Sequence, residues 1–338
     1  MKRSLSFVAL ALVILLAAFY LFDNNLRAQT RASADSALTT RAKLIADTVD
    51  RTLRWRMSEA FTFAALPSLR GYAASDEASR TSRVAIALVE LKAILAADTN
   101  VRAVSIVNPF GIVMLTTDNS MNANWSDRDF VAEALAGHLY ASPPAQDFGE
   151  VSQCYSAPIL DNSGNVAGAL VLRVAVQELW GAFVTPPAAM LVDENGIRLV
   201  DRSATPKPFS ALVPLSSDAY AKLLLGKRYG IQTNQIPATN LAALADAIAT
   251  VQGPPLGVTS VKPVKSVTLS YQDENGALVR AAIQRIRTYP WTVVVFESQD
   301  TLFSPARSAL WSAIGLGAGA VIAGALLWIS LRGLGGEN

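Results

Sequence analysis

Residues 266–286 read SVTLSYQDENGALVRAAIQRI. Two runs rich in β-branched and apolar residues flank Asp273-Glu274-Asn275-Gly276, and Asn and Gly tolerate the positive φ that a tight hairpin turn demands. The stretch is therefore a β-hairpin, and the same design recurs outward from it. Residues 188–200 read AAMLV, then Asp193-Glu194-Asn195-Gly196, then IRLV. Residues 155–176 read YSAPIL, then Asp161-Asn162-Ser163-Gly164-Asn165, then VAGALVLRVAV. Residues 101–117 read VRAVSIV, then Asn108-Pro109-Phe110-Gly111, then IVMLTT. Short apolar runs broken by turn residues at regular places mark this part of the chain as β-rich.

Helix signals separate the hairpins. Ser126-Asp127 precedes RDFVAEALAG, and Ser216-Ser217-Asp218 precedes AYAKLLLG, each a polar start with acidic charge before an apolar-periodic run. The order hairpin, helix, hairpin thus occurs twice. The period, about 90 residues, is too long for a solenoid and implies two α+β modules related by a degenerate duplication. Residues 230–265 read as an insertion in the second module that includes one short helix. Upstream, residues 24–69 carry no glycine and no proline before Pro67. Leu44, Ile45, Val49 and Leu53 recur there at three-to-four spacing, which predicts a long amphipathic helix. Such a helix packs on its own domain, forms a dimer seam, or does each along different stretches.

The two ends of the chain are apolar. Ser4–Phe22 (SLSFVALALVILLAAFYLF) carries no charge and is long enough to cross a hydrocarbon layer of roughly 30 Å as a helix. Lys2 and Arg3 precede it, which puts the N-terminus in the cytoplasm. The run exceeds the apolar core of a signal peptide, so an uncleaved anchor is expected. A second block, Ser308–Leu331, has Trp311 and Trp328 near its ends and small-xxx-small spacing such as Gly315 with Gly319. Arg332 follows, which returns the chain to the cytoplasm, and only GLGGEN then remains.

Composition narrows the function. The formal net charge is +2, which does not suggest a nucleic-acid binder. One cysteine, Cys154, excludes an intramolecular disulfide, and it reads as a small apolar strand residue. One histidine, His138, sits at a predicted helix end, where a structural or exposed role suits it. These counts exclude most histidine-based triads and transition-metal clusters. Neither a Gly-x-Ser-x-Gly elbow nor a His-Glu-x-x-His helix is present, so no enzymatic activity, cofactor or metal is expected. Carboxylate-only chemistry stays open, because Asp and Glu are plentiful.

Three stretches carry a family likeness. They are Trp125-Ser126-Asp127-Arg128-Asp129-Phe130 leading into AEALAG, Ala157-Pro158-Ile159-Leu160-Asp161 through Gly168-Ala169-Leu170-Val171, and Arg287-Thr288-Tyr289-Pro290-Trp291-Thr292-Val293-Val294-Val295. In this order, on a long helix and between two apolar spans, they resemble the double Cache (dCache) extracytoplasmic sensor domains of bacterial chemoreceptors, histidine kinases and diguanylate cyclases. The resemblance covers nearly the whole chain. It implies an α+β fold of two tandem PAS-like Cache modules, antiparallel sheets with flanking helices, on a long N-terminal stalk helix and bracketed by two transmembrane helices. The expected boundaries are 1–23 for the cytoplasmic tip and first span, 24–70 for the stalk, 71–182 for a membrane-distal ligand-binding module, 183–307 for a membrane-proximal module, 308–331 for the second span and 332–338 for the tail.

The implied function is a two-pass inner-membrane sensor, its main domain outside the cytoplasm, that binds a small molecule in the distal module. Its expected partners are a second copy of itself and a cytoplasmic or membrane signalling protein. The competing reading is a membrane-anchored envelope hydrolase or a structural envelope protein without a ligand.

Members of the family that bind amino acids carry an Arg-x-Trp-Tyr run at the helix start and a late-strand Asp for the ligand's ammonium. Here the helix start reads Asp127-Arg128-Asp129-Phe130, and Arg173 aligns with the acid. An arginine cannot hold an ammonium group but can hold a carboxylate through two parallel hydrogen bonds, so the ligand implied is an organic acid or other anion. Against this, Arg173 can be a strand-edge residue facing water or paired with an acid such as Glu178. Trp125 and Tyr140 are pocket walls or core aromatics. Arg128 and Asp129 are ligand contacts or helix-surface charges, and Tyr155, alternating with Gln153 on a polar-aromatic face, is a pocket residue or part of a plain sheet face.

Overall fold

The computed structural model describes residues 2–338 except 148, 185–187, 253–265, 306–307, 309–310, 313 and 316–338, and describes residues 2–16 as backbone alone. The expected second span and tail therefore lie almost wholly outside the described residues. The expected first span forms the start of a continuous helix, α1 (Lys2–Ala64). Among the described residues no helix is long and apolar enough to cross a membrane.

At 1.5 Å per residue α1 is about 95 Å long. Its buried apolar residues are Leu38, Ala42, Ala46, Val49, Leu53, Met57, Ala60 and Ala64, a stripe at repeating spacings of four, four and three. Ile45 packs beside this stripe, whereas Leu44 is exposed. The helix expected to run to residue 69 breaks at Leu66, which is extended (φ −61°, ψ 131°), as a residue before proline prefers. Pro67 then opens α2 (Pro67–Ala73). A helix not anticipated from the sequence follows, α3 (Glu77–Ala97), capped by Asp76, whose carboxylate accepts from the N–H of Ser79 at 2.8 Å.

The strands follow in two groups. The first comprises β1 (Val101–Val107), β2 (Val113–Thr116), β3 (Tyr140–Ala141), β4 (Ala145–Asp147), β5 (Glu150–Leu160) and β6 (Val166–Ala175), with α4 (Asp129–Leu135) between β2 and β3. The short helix α5 (Gln177–Gly181) leads to the second group: β7 (Ala188–Val192), β8 (Arg198–Asp201), β9 (Ser266–Gln272), β10 (Leu278–Arg285) and β11 (Thr292–Ser298). Between β8 and β9 lie α6 (Ser217–Leu225), a 3₁₀ turn at Ile231–Asn234 and α7 (Ala242–Val251). Residues 253–265, which complete the expected insertion, lie outside the described residues.

Each group forms an antiparallel sheet. The first runs β2-β1-β6-β5-β3 with β4 paired to β5, and the second runs β8-β7-β11-β10-β9. Setting β4 aside, both read second, first, last, penultimate, third strand.

The four hairpin turns share one chemistry. Asn108, Asp161, Asp193 and Asp273 each accept two backbone N–H bonds at Oδ1, from the residues two and four positions on, at 2.8–2.9 Å. Each turn closes on a glycine with positive φ: Gly111, Gly164, Gly196 and Gly276.

The buried stripe of α1 joins one face of each sheet in a single apolar cluster, with Ile106, Leu170 and Leu172 from the first and Leu191, Val293 and Val295 from the second. Polar staples reinforce it. Asp50 accepts from the backbone N–H groups of Arg287 and Thr288, and Asp35 takes Arg280 bidentately, both oxygens at 2.6 Å. On the side of the first sheet, buried Arg56 pairs with Glu59, Asp98 and Glu178. The opposite faces of the two sheets carry separate cores, covered by α4 and α7 respectively.

Candidate functional site

The α4 face of the first sheet holds most of the predicted residues. Arg173 lies on β6 between Ala103 of β1 and Cys154 of β5, two small neighbours that leave room for a guanidinium. Burial raises the Cys154 thiol to about 12, so it stays protonated beside that charge. Arg173 Nη1 lies 3.0 Å from Asp118 Oδ2, in the loop after β2. Asp118 in turn accepts from the Thr116 hydroxyl and from the N–H of Ser120, each at 2.8 Å. The Thr116 proton being committed to Asp118, Ser105 Oγ must donate to Thr116 across 2.8 Å. Burial pushes the Asp118 carboxyl up, but the bonds from Ser120 and Thr116 and the charge of Arg173 outweigh it and hold it below the ordinary value. The result is a charged relay, Ser105–Thr116–Asp118–Arg173, laid on a largely apolar face.

Trp125 and Phe130 wall this face, edge to face with ring centres 5.9 Å apart, and Val131 and Ala134 pack below them. The Ser156 hydroxyl donates to the Phe130 carbonyl at 2.5 Å and fixes α4 to β5.

At the start of α4 the chain meets the second sheet's surroundings. Arg128 bonds Asp147 and the Lys227 carbonyl, each at 3.1 Å. Asp129 takes Arg228 at 3.1 Å, and Arg228 also pairs with Glu194. Asp127 takes Lys227 at 2.9 Å. Arg128, Asp129, Phe130, Cys154 and Arg228 help to line a cavity of about 20 Å³, room for about one water molecule. Tyr140, half-buried, packs edge to face on Tyr289 at 5.8 Å, and the Tyr289 hydroxyl accepts from the N–H of Ala141 at 2.6 Å.

The structure thus brings Arg173 and Trp125 onto one face and Arg128 and Asp129 to its rim, with Tyr140 beside it. Tyr155 does not join them. It lies on the opposite face, in the core shared with α1, where its hydroxyl donates to Gln153 at 2.8 Å. Strand alternation groups Tyr155 with Gln153 but does not say which face is inside. Glu178 is not the partner of Arg173 either, being held by Arg56 of α1. His138 is exposed and bonds Glu133 at 2.9 Å. The residues missed were Asp118, Thr116 and Ser105, two of them strand residues of ordinary appearance and the third in a loop. Among the described residues no group of three metal-ligating side chains comes together.

No protein-family model matches this sequence, and no curated protein matches it. Solved structures do match by fold. The sensor domain of the V. cholerae histidine kinase DctB is similar at a TM-score of 0.56 and 10% identity, over 81% of this chain and 99% of that one. The sensory domain of the Campylobacter jejuni chemoreceptor Tlp3 (CcmL) with isoleucine bound is similar at 0.53 and 17% identity, over 81% and 96%. The Tlp3 ligand-binding domain in complex with L-valine gives 0.53 and 16%, over 81% and 96%. These are sensor domains rather than catalytic ones. The long helix, the two antiparallel sheets and this likeness together give the chain the same fold as these sensor domains.

Proposed function

We propose that the chain is a membrane-anchored sensor, and that it binds a small carboxylate at Arg173 on the α4 face of the first sheet. The observation that carries this is the Arg173–Asp118 pair, 3.0 Å apart and mostly buried beneath α4. A strand guanidinium in such surroundings costs stability unless it is paired. Its partner here is a loop residue, which a ligand carboxylate can displace or join. With about 20 Å³ at the rim, the described arrangement is closed, and a ligand that favours a more open one would shift the balance between them.

Residues 71–182 form the ligand-binding, membrane-distal module and 183–307 the proximal one in this reading. The apolar ends 4–22 and 308–331 anchor both in an inner membrane with the modules outside the cytoplasm. α1, stapled to the first-sheet side through Arg56 and to the second sheet through Asp50, carries the change toward the membrane and a signalling partner. Exposed Leu44 and Trp55, eleven residues apart and so on one face of α1, offer a seam for a second copy.

A second ligand class is favoured by Asp118 itself. Standing beside Arg173, it can take an ammonium while Arg173 takes the carboxylate, which suits an α-amino acid, the kind of ligand bound in the Tlp3 structures. Thermal unfolding of the purified full chain with succinate, isoleucine, pentylamine and adenine separates the readings. Stabilisation by succinate alone supports the organic acid, and stabilisation by isoleucine alone supports the amino acid. No stabilisation by any of them favours the envelope hydrolase or structural protein.

A further inference from the structure

We infer that the second sheet has a ligand site of its own, for a small neutral molecule with a carbonyl head and an apolar body. A cavity of about 300 Å³ opens on the face of this sheet that α7 covers. Protein interiors hold few voids larger than a water, and this volume is at the lower end of ordinary ligand pockets, about 300–1,000 Å³. One wall is apolar: Met190, Leu241, Val279 and Phe296.

The other end is polar and incompletely satisfied. Arg198, fully buried, lines the cavity; its Nη1 bonds Asp201 at 2.9 Å, and its Nη2 bonds Thr239 and Glu274. Its Nε–H has no acceptor among the described residues. Tyr271, 4% exposed, also lines the cavity, and its buried hydroxyl likewise has no partner among them. Buried polar groups are nearly always hydrogen-bonded, and two orphans at one cavity call for a shared partner. Burial pushes the Tyr271 hydroxyl up, and Arg198 is near enough to oppose that shift. The hydroxyl therefore stays protonated and able to donate. Two unsatisfied donors on residues that line one cavity match the two lone pairs of a carbonyl oxygen.

Charge selects against an anion, and the orphaned donors select against a cation. Arg198 is already matched by Asp201 and Glu274, and the lining adds Asp273 and Glu297. A ligand carboxylate would meet these acids with no unmatched cation among the described lining residues to hold it. An ammonium head could use the Tyr271 oxygen but would face Arg198 and leave its Nε–H unpaired. The site rests on residues separate from the Arg173 face, so it stands or falls independently of the reading given there.

Three probes with the same five-carbon chain test it on the purified full chain: pentanamide, pentanoate and pentylamine, followed by thermal unfolding and by saturation-transfer NMR. Pentanamide should stabilise and show saturation transfer, and the two ions should do neither. Tyr271→Phe removes a hydroxyl with no partner, so its melting temperature should not fall, while pentanamide binding weakens about tenfold through one lost hydrogen bond. Met190→Trp fills the apolar end and should abolish binding; should that variant not fold, Tyr271→Phe decides alone. Absence of pentanamide binding, equal binding of all three probes, or undiminished binding by Tyr271→Phe overturns the inference.

Discussion

Asp50 is the point at which α1 grips the second sheet, and its replacement tests that grip quantitatively. The carboxylate, 2% exposed, accepts from Arg287 N–H at 3.0 and 2.9 Å through its two oxygens and from Thr288 N–H at 2.8 Å. Asp50→Ala leaves two backbone donors without an acceptor. Hydrogen bonds to a charged group contribute about 1.5–3 kcal/mol each, so the loss lies between about 3 and 6 kcal/mol. Arg287 is exposed and Thr288 half-exposed, so water reaches the abandoned donors, and burial of the carboxylate no longer has to be offset. Both effects favour the lower figure, about 3 kcal/mol, which corresponds to a melting shift of about 4–5 °C for a chain of this length. Asp50→Asn keeps Oδ1, which serves both donors, but turns an amide toward the Arg287 N–H. Its cost should be about half. Thermal unfolding of the purified full chain reads both. A shift below about 1 °C for Asp50→Ala, or equal shifts for the two variants, would refute the view that this carboxylate staples helix to sheet.

Arg56→Met removes the cation that holds Glu59, Asp98 and Glu178, and should cost about 3 kcal/mol, the low end for breaking a buried ion cluster because the acids are partly exposed; urea unfolding measures it. Gly111 and Gly164 separate backbone strain from collision. Both have positive φ, but a Cβ at Gly111 would lie 2.5 Å from Ser126 Cα, whereas one at Gly164 meets nothing within 4 Å. Gly164→Ala should therefore cost about 1–2 kcal/mol and Gly111→Ala clearly more by the same assay. Stability should also depend on acid. Burial raises the Asp201 carboxyl, but the Lys207 N–H, Ser203 and Arg198 outweigh it, and the net value is below the ordinary 3.8. A lowered value contributes stability that is present above 3.8 and is lost as pH falls through the folded value. Melting temperature against pH should thus decline below 3.8, and Asp201→Asn should flatten that decline; an unchanged slope would contradict the assignment.

How far the sequence discloses this fold depends on where each signal is written. The four hairpins are legible because an Asx residue and a glycine three positions later fix the turn locally, and Gly111, Gly164, Gly196 and Gly276 all adopt positive φ. α6 is legible through Ser216, which caps it by accepting from the N–H of Ala219. The helix at Glu77–Ala97 had an equivalent signal in Asp76, unread beside the long stretch that precedes it. The site is less legible, because its partners come from separate parts of the chain. Arg173 is conspicuous in an apolar strand, but Asp118 is an unremarked loop acid until β2 pairs with β1 beside β6. Glu178, close to Arg173 in sequence, is taken by Arg56 from α1. Tyr155 faces α1 because the long helix occupies that side of the sheet, and nothing within the strand records it.

The central claim is that Arg173 holds a ligand carboxylate, and one titration addresses it directly. Isothermal titration of the purified full chain with whichever carboxylate most stabilises it, repeated on Arg173→Met, compares binding with and without the guanidinium. The account predicts saturable binding in the parent chain and loss of at least about tenfold in affinity in the variant, with its far-ultraviolet spectrum unchanged. Equal affinity in a folded Arg173→Met chain would contradict it.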